Sequence, residues 1–244
     1  MSALVLSVFP GIGLLDMAFE GEGFCVVRGP DLFWGGDVKR FRPPAGCFDG
    51  VIGGDPCQAH SKLEGFCLSR GCVPHEDLTP EYRRVVIEAQ PRWYLRENVP
   101  GAPAPAVPGY EEGSVLLNAR DFGCEQNRQR RFWFGVRGGG YPVDLWRYLE
   151  IEPLRPVVCE RAVLASGGRR IAMLRTRAEM ARNLPSRREA DFHRALELQG
   201  LPSDFLSGAP FTKEGRYRAV GNGVPLPMGR GVARAVRLVL EAMP

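Results

Sequence analysis

A chain of 244 residues with 44% hydrophobic content is long enough to bury a core of its own, and is read as one main domain with a small appendage. No stretch approaches the 18 consecutive apolar residues of a membrane span, and the opening MSALVLSVFPGIG has neither a basic leader nor a small-residue cleavage site, so a cytoplasmic protein with no membrane partner is expected. Seven cysteines, an odd number without a paired framework, favour free thiols, and the formal charge of +4 leaves its distribution to identify partners.

Taken in chain order, Ala3 to Phe9 is an apolar strand ending at Pro10-Gly11-Ile12-Gly13, and Leu14, Leu15, Met17, Ala18 and Phe19 follow at helical spacing. Glycines at a helix N-terminus bring backbone N–H groups close to a nucleotide-like ligand, although the spacing is not the full G-x-G-x-x-G fingerprint and any α/β domain can carry such a turn. Further strands are predicted at Phe24 to Arg28, in a short run leading into Asp37-Val38, and at Phe48 to Ile52 before Gly53-Gly54. There Asp55-Pro56-Cys57-Gln58 presents a thiol outward at a strand end, a position where most cysteines would be inert packing residues. Cys67, Cys72 and His75 lie close together but lack a fourth ligand, so no metal is expected.

A helix is predicted over Pro80 to Ala89 with Thr79 as its N-cap, then a strand Trp93 to Leu95 running into Glu97-Asn98-Val99. The proline-rich stretch 101–108 reads as a loop. Ser114 to Ala119 and Arg131 to Val136 read as paired strands, preceded by Gln126-Asn127-Arg128-Gln129-Arg130 with alternate arginines on one face of an extended segment. After Gly138 the pattern loosens until a capped helix from Ser186 through Leu198. A last helix, from about Pro227 to Ala242, carries Met228, Val232, Val236 and Leu240 as a core stripe. Between Arg155 and Arg188 stand nine arginines and two acidic residues, a phosphate-binding surface or simply a solvated face. The alternation predicts an α/β fold with a doubly wound, mostly parallel sheet, whose ligands sit beyond the carboxyl ends of the strands.

Five blocks in order carry a resemblance: Phe9-x-Gly11-x-Gly13, Pro56-Cys57-Gln58, Glu97-Asn98-Val99, Gln126-x-Arg128-x-Arg130 and Gly221-Asn222-Gly223-Val224-Pro225. The chain resembles the cytosine-5 DNA methyltransferases, from about residue 3 to 240 with roughly 138 to 182 outside the match. The resemblance implies a Rossmann-like methyltransferase domain over residues 1–137, a short arginine-rich target-recognition segment over 138–182, and motifs at 183–244 that return to the catalytic domain. It implies S-adenosyl-L-methionine as cofactor, S-adenosyl-L-homocysteine as product, double-stranded DNA as substrate, a cognate restriction endonuclease as a partner, a bacterial or phage origin and a monomer.

Carried over residue by residue, Cys57 would add to C6 of a flipped-out cytosine so that C5 can accept the methyl group. Glu97 would bond the N3 and amino edge of the base, Arg130 its oxygen, and Arg128 would complete the catalytic set by positioning the loop. Phe9, Gly11, Ile12, Gly13, Asp31, Asp37, Val38, Pro56, Asn222 and Val224 would surround the cofactor. Gln58, Ser61, Gln126, Arg169 and Arg170 would face DNA. The sequence departs from the pattern at Ser7, Leu14, Asp55, His60 and Lys62, the last three bearing on substrate choice. The rival readings are the same chemistry on RNA or on a free cytosine nucleotide, and a silent DNA-binding homologue.

Overall fold

The computed structural model describes residues 2–60, 75–138, 143–151, 160–161, 163 and 187–243. Strand β1 (Leu4–Val8) lies at the centre of the parallel part of the main sheet, with β2 (Cys25–Arg28) on one side and β3 (Gly50–Gly53) on the other. Next come β4 (Trp93–Asn98), parallel to β3, then β7 (Gln129–Arg137), antiparallel to β4, and at the edge β5 (Tyr110–Asn118), antiparallel to β7. The order β2-β1-β3-β4-β7-β5 is the mostly parallel α/β sheet expected. A short pair, β6 (Gln126–Asn127) with β8 (Glu160–Arg161), stands apart from it.

Both faces of β1 and β3 are covered, which is why their sequences are apolar at almost every position. Along β1, Val5 faces the core shared with α1 (Leu14–Gly21) and the C-terminal helix, whereas Leu6 and Val8 face α2 (Thr79–Ala89). The same alternation sends Trp93 and Leu95 of β4 one way and Tyr94 the other. Helix α2 inserts Tyr82, Val85, Val86 and Ala89, all fully buried. On the opposite face α3 (Arg187–Leu198) and α4 (Lys213–Asn222) precede α5 (Leu226–Glu241), whose Met228, Val232 and Val236 form the predicted stripe and are fully buried. At roughly 1.5–3 kcal/mol for each large apolar side chain, that stripe is a main anchor of the C-terminal segment.

Two local expectations are corrected, and one helix is new. The segment before Val38 is not a strand: Val38–Arg40 is a 3₁₀ turn, begun by Asp37, whose Oδ1 accepts from the Lys39 N–H at 2.9 Å. Thr79 is not the N-cap of α2, which is Leu78; Thr79 is buried and its hydroxyl is engaged inside the protein. Helix α4, with Thr212 as its N-cap, has an apolar periodicity too weak to have been read from sequence. Among the described residues no helix is long and apolar enough to cross a membrane.

Candidate active site

The carboxyl ends of β1, β3 and β4 open on the same edge, and the blocks singled out in the sequence converge there. After β1 the chain turns sharply: Phe9, Gly11 and Gly13 all have positive φ, at 58°, 56° and 81°, and Gly13 is the N-cap of α1. An added Cβ at Gly11 would meet nothing within 4 Å, so its backbone faces open space, as a ligand cradle requires. The Gly11 N–H donates to Asp31 Oδ2 at 2.8 Å, and the Trp34 indole donates to the Gly11 carbonyl at 2.6 Å. Phe33, Trp34 and Phe211 form an exposed aromatic cluster beside this turn, with ring centroids 5.0–6.1 Å apart. This cluster was missed in the sequence; the three large apolar residues Leu32-Phe33-Trp34 directly after Asp31 were the available signal.

The cradle fits a nucleoside-type cofactor: open glycine backbone, a carboxylate for ribose hydroxyls and aromatic faces for a base, at a helix N-terminus. The loop 221–224 reaches the same place, since a Cβ on Gly223 would sit 2.4 Å from Leu14 Cδ1 at the start of α1. Asn222 is exposed there. Pro56 is also exposed, at the tip of the neighbouring turn. The side chains of Val38 and Val224 are packed into the core and Ile12 is partly buried against the cluster around Leu196, which leaves backbone or one edge of each for a ligand.

Cys57 begins a 3₁₀ turn, Cys57–His60, after β3 and is half-buried. Burial pushes its thiol pKa up; the Arg130 charge opposes that shift, Glu97 adds to it and Arg128 opposes it. Glu97 is buried at the end of β4, and its Oε1 lies 2.7 Å from Nε of Arg130, near the start of β7. The approach of Glu97 to the thiol-bearing turn depends on Gly54, where a Cβ would stand 2.7 Å from Glu97 Oε2. Burial raises the Glu97 pKa too, against the pull of Arg130 and Arg128. A carboxyl group held above its ordinary range beside a buried thiol and a guanidinium can donate a proton to a ring nitrogen and stabilise charge developing on a planar base.

Arg128 does not stand with them at an open surface. It is buried, and donates to the carbonyls of Val163 at 2.8 Å, Gly221 at 2.8 Å and Gly223 at 3.1 Å. As a catalytic group it is therefore corrected to a brace joining the β6–β7 segment to the 221–224 loop; burial, reinforced by Arg130, lowers its pKa to about 9. Gln126 is likewise no DNA contact. It is fully buried, its amide donates to Leu198 O and Gln199 Oε1, and its Oε1 accepts from the Val163 N–H at 3.3 Å. Both corrections have one cause: the segment before β7 runs under α3 and α4, not over the sheet edge. Ser61, Lys62, Arg169 and Arg170, the cysteines 67 and 72, and the side chain of Gln58 lie outside the described residues, as does most of 138–182.

Asp55 is not at a substrate-facing position. It is fully buried and bonded by Arg96, Thr79 and Asn98, and the Asn98 amide also donates to the Asp55 carbonyl at 3.1 Å. Thus β4 alternates in function: Arg96 and Asn98 hold the thiol-bearing turn from one face while Glu97 enters the site from the other.

The α/β fold is one that solved methyltransferases share. A DNA modification methyltransferase encoded within an E. coli prophage superposes with a TM-score of 0.67 at 18% identity, over 98% of this chain and 100% of that one. Residues 36–145 match the family model of the C-5 cytosine-specific DNA methylases. Type II methyltransferases resemble the chain in sequence: M.NgoPII of Neisseria gonorrhoeae at 31% identity over 54% of this chain and 48% of its own length, and M.FnuDI of Fusobacterium nucleatum at 32% over 54% and 46%. Over those stretches the chain is similar to the cytosine-5 DNA methyltransferases. It spans about half the length of these two relatives.

Proposed function

We propose that the protein is a DNA (cytosine-5-)-methyltransferase using S-adenosyl-L-methionine. The observation that carries this is the meeting of Glu97 and Arg130, 2.7 Å apart, beside the Cys57 turn, three groups delivered by three separate strand ends. S-adenosyl-L-methionine, when bound, supplies an activated methyl group on a sulfonium. Gly11, Gly13 and Asp31, with Phe9, Asp37, Val38, Pro56, Asn222 and Val224 around them, would hold it. The aromatic faces of Phe33 and Trp34 border the same cradle.

A target cytosine must leave the duplex to reach Cys57. Cys57 sulfur bonds to C6, the Glu97 carboxyl donates to N3 and relieves the charge that forms, and Arg130 supports the base oxygen. The electron pair this places at C5 takes the methyl group; loss of the C5 proton and departure of Cys57 then restore the aromatic ring. Arg128 keeps the 221–224 wall in register with these groups. Residues 138–182, between 1–137 and 183–244, are assigned to target recognition, with Gln58, Ser61, Arg169 and Arg170 facing duplex DNA. The type II names of the relatives support a restriction endonuclease as cellular counterpart, and their bacterial sources support a cytoplasmic setting.

The test is transfer of labelled methyl from S-adenosyl-L-methionine to unmethylated duplex DNA by wild type and Cys57→Ser, with digestion of the product to nucleosides. Label in 5-methylcytosine that disappears in the variant is the expected result. Label confined to RNA or free cytosine nucleotides would move the substrate, and none anywhere would reject the activity.

A further inference from the structure

Two polar clusters flank the Cys57 turn, and the proposed chemistry uses neither. Ahead of Cys57, Asp55 and Arg96 have fully buried side chains joined by two bonds, Nε to Oδ1 at 2.5 Å and Nη2 to Oδ2 at 2.9 Å. Arg96 also donates to Thr79 Oγ1 at 2.8 Å and to the Pro103 carbonyl at 2.5 Å, and its guanidinium lies 4.9 Å from the centroid of the Trp133 ring. Behind Cys57, at the end of the same 3₁₀ turn, His60 Nε2 is 3.0 Å from Asp77 Oδ1. Thr79 links the two, giving its hydroxyl to Asp55 and its N–H to Asp77. Ligand atoms of Asp55, His60 and Asp77 come within 4.8 Å of one another, but both Asp55 oxygens already carry the Arg96 guanidinium, so the cluster holds its own cation.

A fully buried ion pair adds little to stability over an apolar pair of the same shape, because desolvation offsets the attraction. What a bidentate guanidinium–carboxylate pair does supply is direction, fixing two planar groups against each other. Here the fixed groups sit two residues before the nucleophile and on the strand that carries Glu97 in the very next position. The His60–Asp77 bond fixes the other end of the same turn. We propose that Asp55–Arg96 and His60–Asp77 form a two-point clamp whose role is to aim the Cys57 sulfur. All four are positioning residues acting through the main chain of 55–60. The inference rests on the reading of Cys57 as nucleophile.

The full-length chain is compared as wild type, Arg96→Lys, Asp55→Asn, the double variant Asp55→Asn/Arg96→Met, His60→Gln and His60→Ala. The readings are the thermal midpoint, kcat and KM for duplex DNA, and the pH profile of Cys57 alkylation by iodoacetamide, followed by peptide mapping. Arg96→Lys keeps the charge and loses the fork, so kcat falls roughly tenfold to a hundredfold with KM little changed, the cost of a reacting group displaced by about 1 Å. The double variant regains the midpoint lost in Asp55→Asn, since no charge is left unpaired, but does not regain kcat. His60→Gln, still able to donate to Asp77, keeps the rate that His60→Ala loses. Recovery of kcat together with the midpoint in the double variant, or a folded Arg96→Lys with wild-type kcat, overturns the clamp. Alkylation needs no DNA and separates the two claims. A shifted Cys57 profile in Arg96→Lys, in a protein that methylates no DNA, rejects the activity and keeps the clamp; an unshifted profile in an active protein rejects the clamp.

Discussion

At the scale of single residues, the Cys57 thiol is set by competing neighbours. Burial holds its pKa above the ordinary thiol value, so in the free protein the thiolate forms only at pH above the ordinary thiol range, and alkylation accelerates as pH rises into it. Glu97 raises the thiol pKa and Arg130 lowers it, which gives substitutions of opposite sign. Glu97→Gln speeds iodoacetamide labelling of Cys57 at neutral pH while lowering methyl transfer by roughly 100-fold or more, the scale of a lost proton donor. Arg130→Ala slows labelling and methyl transfer together. A pH series of labelling on the three proteins checks all of this, and Glu97→Gln labelling more slowly than wild type would contradict the assignment of Glu97 as the opposing charge. Legibility divides at the same scale. Cys57 and Glu97 were named from sequence because Pro56-Cys57-Gln58 and Glu97-Asn98-Val99 are two of the five ordered blocks that carry the resemblance, strand-end position alone being a weak signal. Gln126 was named for the wrong work, since whether a polar side chain points into or out of a lobe depends on α3 and α4, which are far away in the chain. Asp55 was read as a substrate-side departure because its partner Arg96 stands forty-one positions on, in another strand.

Between elements, the site depends on close approach of strand ends and on one buried cation bracing a loop. A Cβ at Gly53 would lie 2.1 Å from the Val8 carbonyl of the adjacent strand, so Gly53→Ala must spread β1 from β3 and is expected to fail in folding. At Gly54 the obstruction is Glu97 itself, so Gly54→Ala folds but loses activity; the pair is checked by comparing soluble yield and thermal midpoint with kcat. Arg128→Met removes the bonds to the carbonyls of Val163, Gly221 and Gly223, of which Gly223 keeps a long bond from the Gln199 amide at 3.4 Å. It lowers unfolding free energy by about 3 kcal/mol and, through the loosened 221–224 wall, weakens cofactor binding more than DNA binding. Urea denaturation and cofactor titration measure the two effects. The sheet order itself was anticipated in class because parallel strands buried on both faces read as apolar runs; Val38–Arg40 misled because its apolar residue belongs to a capped turn, whose bond from Lys39 N–H to Asp37 leaves no period in the sequence.

For the molecule as a whole, the matched part of the chain spans about half the length of its type II relatives, and the proposed activity raises the question of how duplex DNA would be recognised. The segment assigned to that task spans about 45 positions, and nine arginines crowd residues 155–188. Guanidinium groups in such density favour phosphate contact, which fixes the protein on the duplex without reading bases. Base readout needs side chains seated in the major groove, and each good bidentate contact discriminates by only about 1–3 kcal/mol. A short segment therefore specifies a site of few base pairs, while affinity comes chiefly from released counterions. With about four phosphates neutralised, log Kd should change with log salt at a slope near 3.6 in magnitude, a loss of roughly a hundredfold between 50 and 200 mM. Fluorescence anisotropy across that range on the duplex carrying the methylated site gives the slope. Arg169→Ala and Arg170→Ala should each flatten it by about one without changing which cytosine is methylated. A flat salt response, or a changed methylation site in either arginine variant, would instead make the segment a reader of bases.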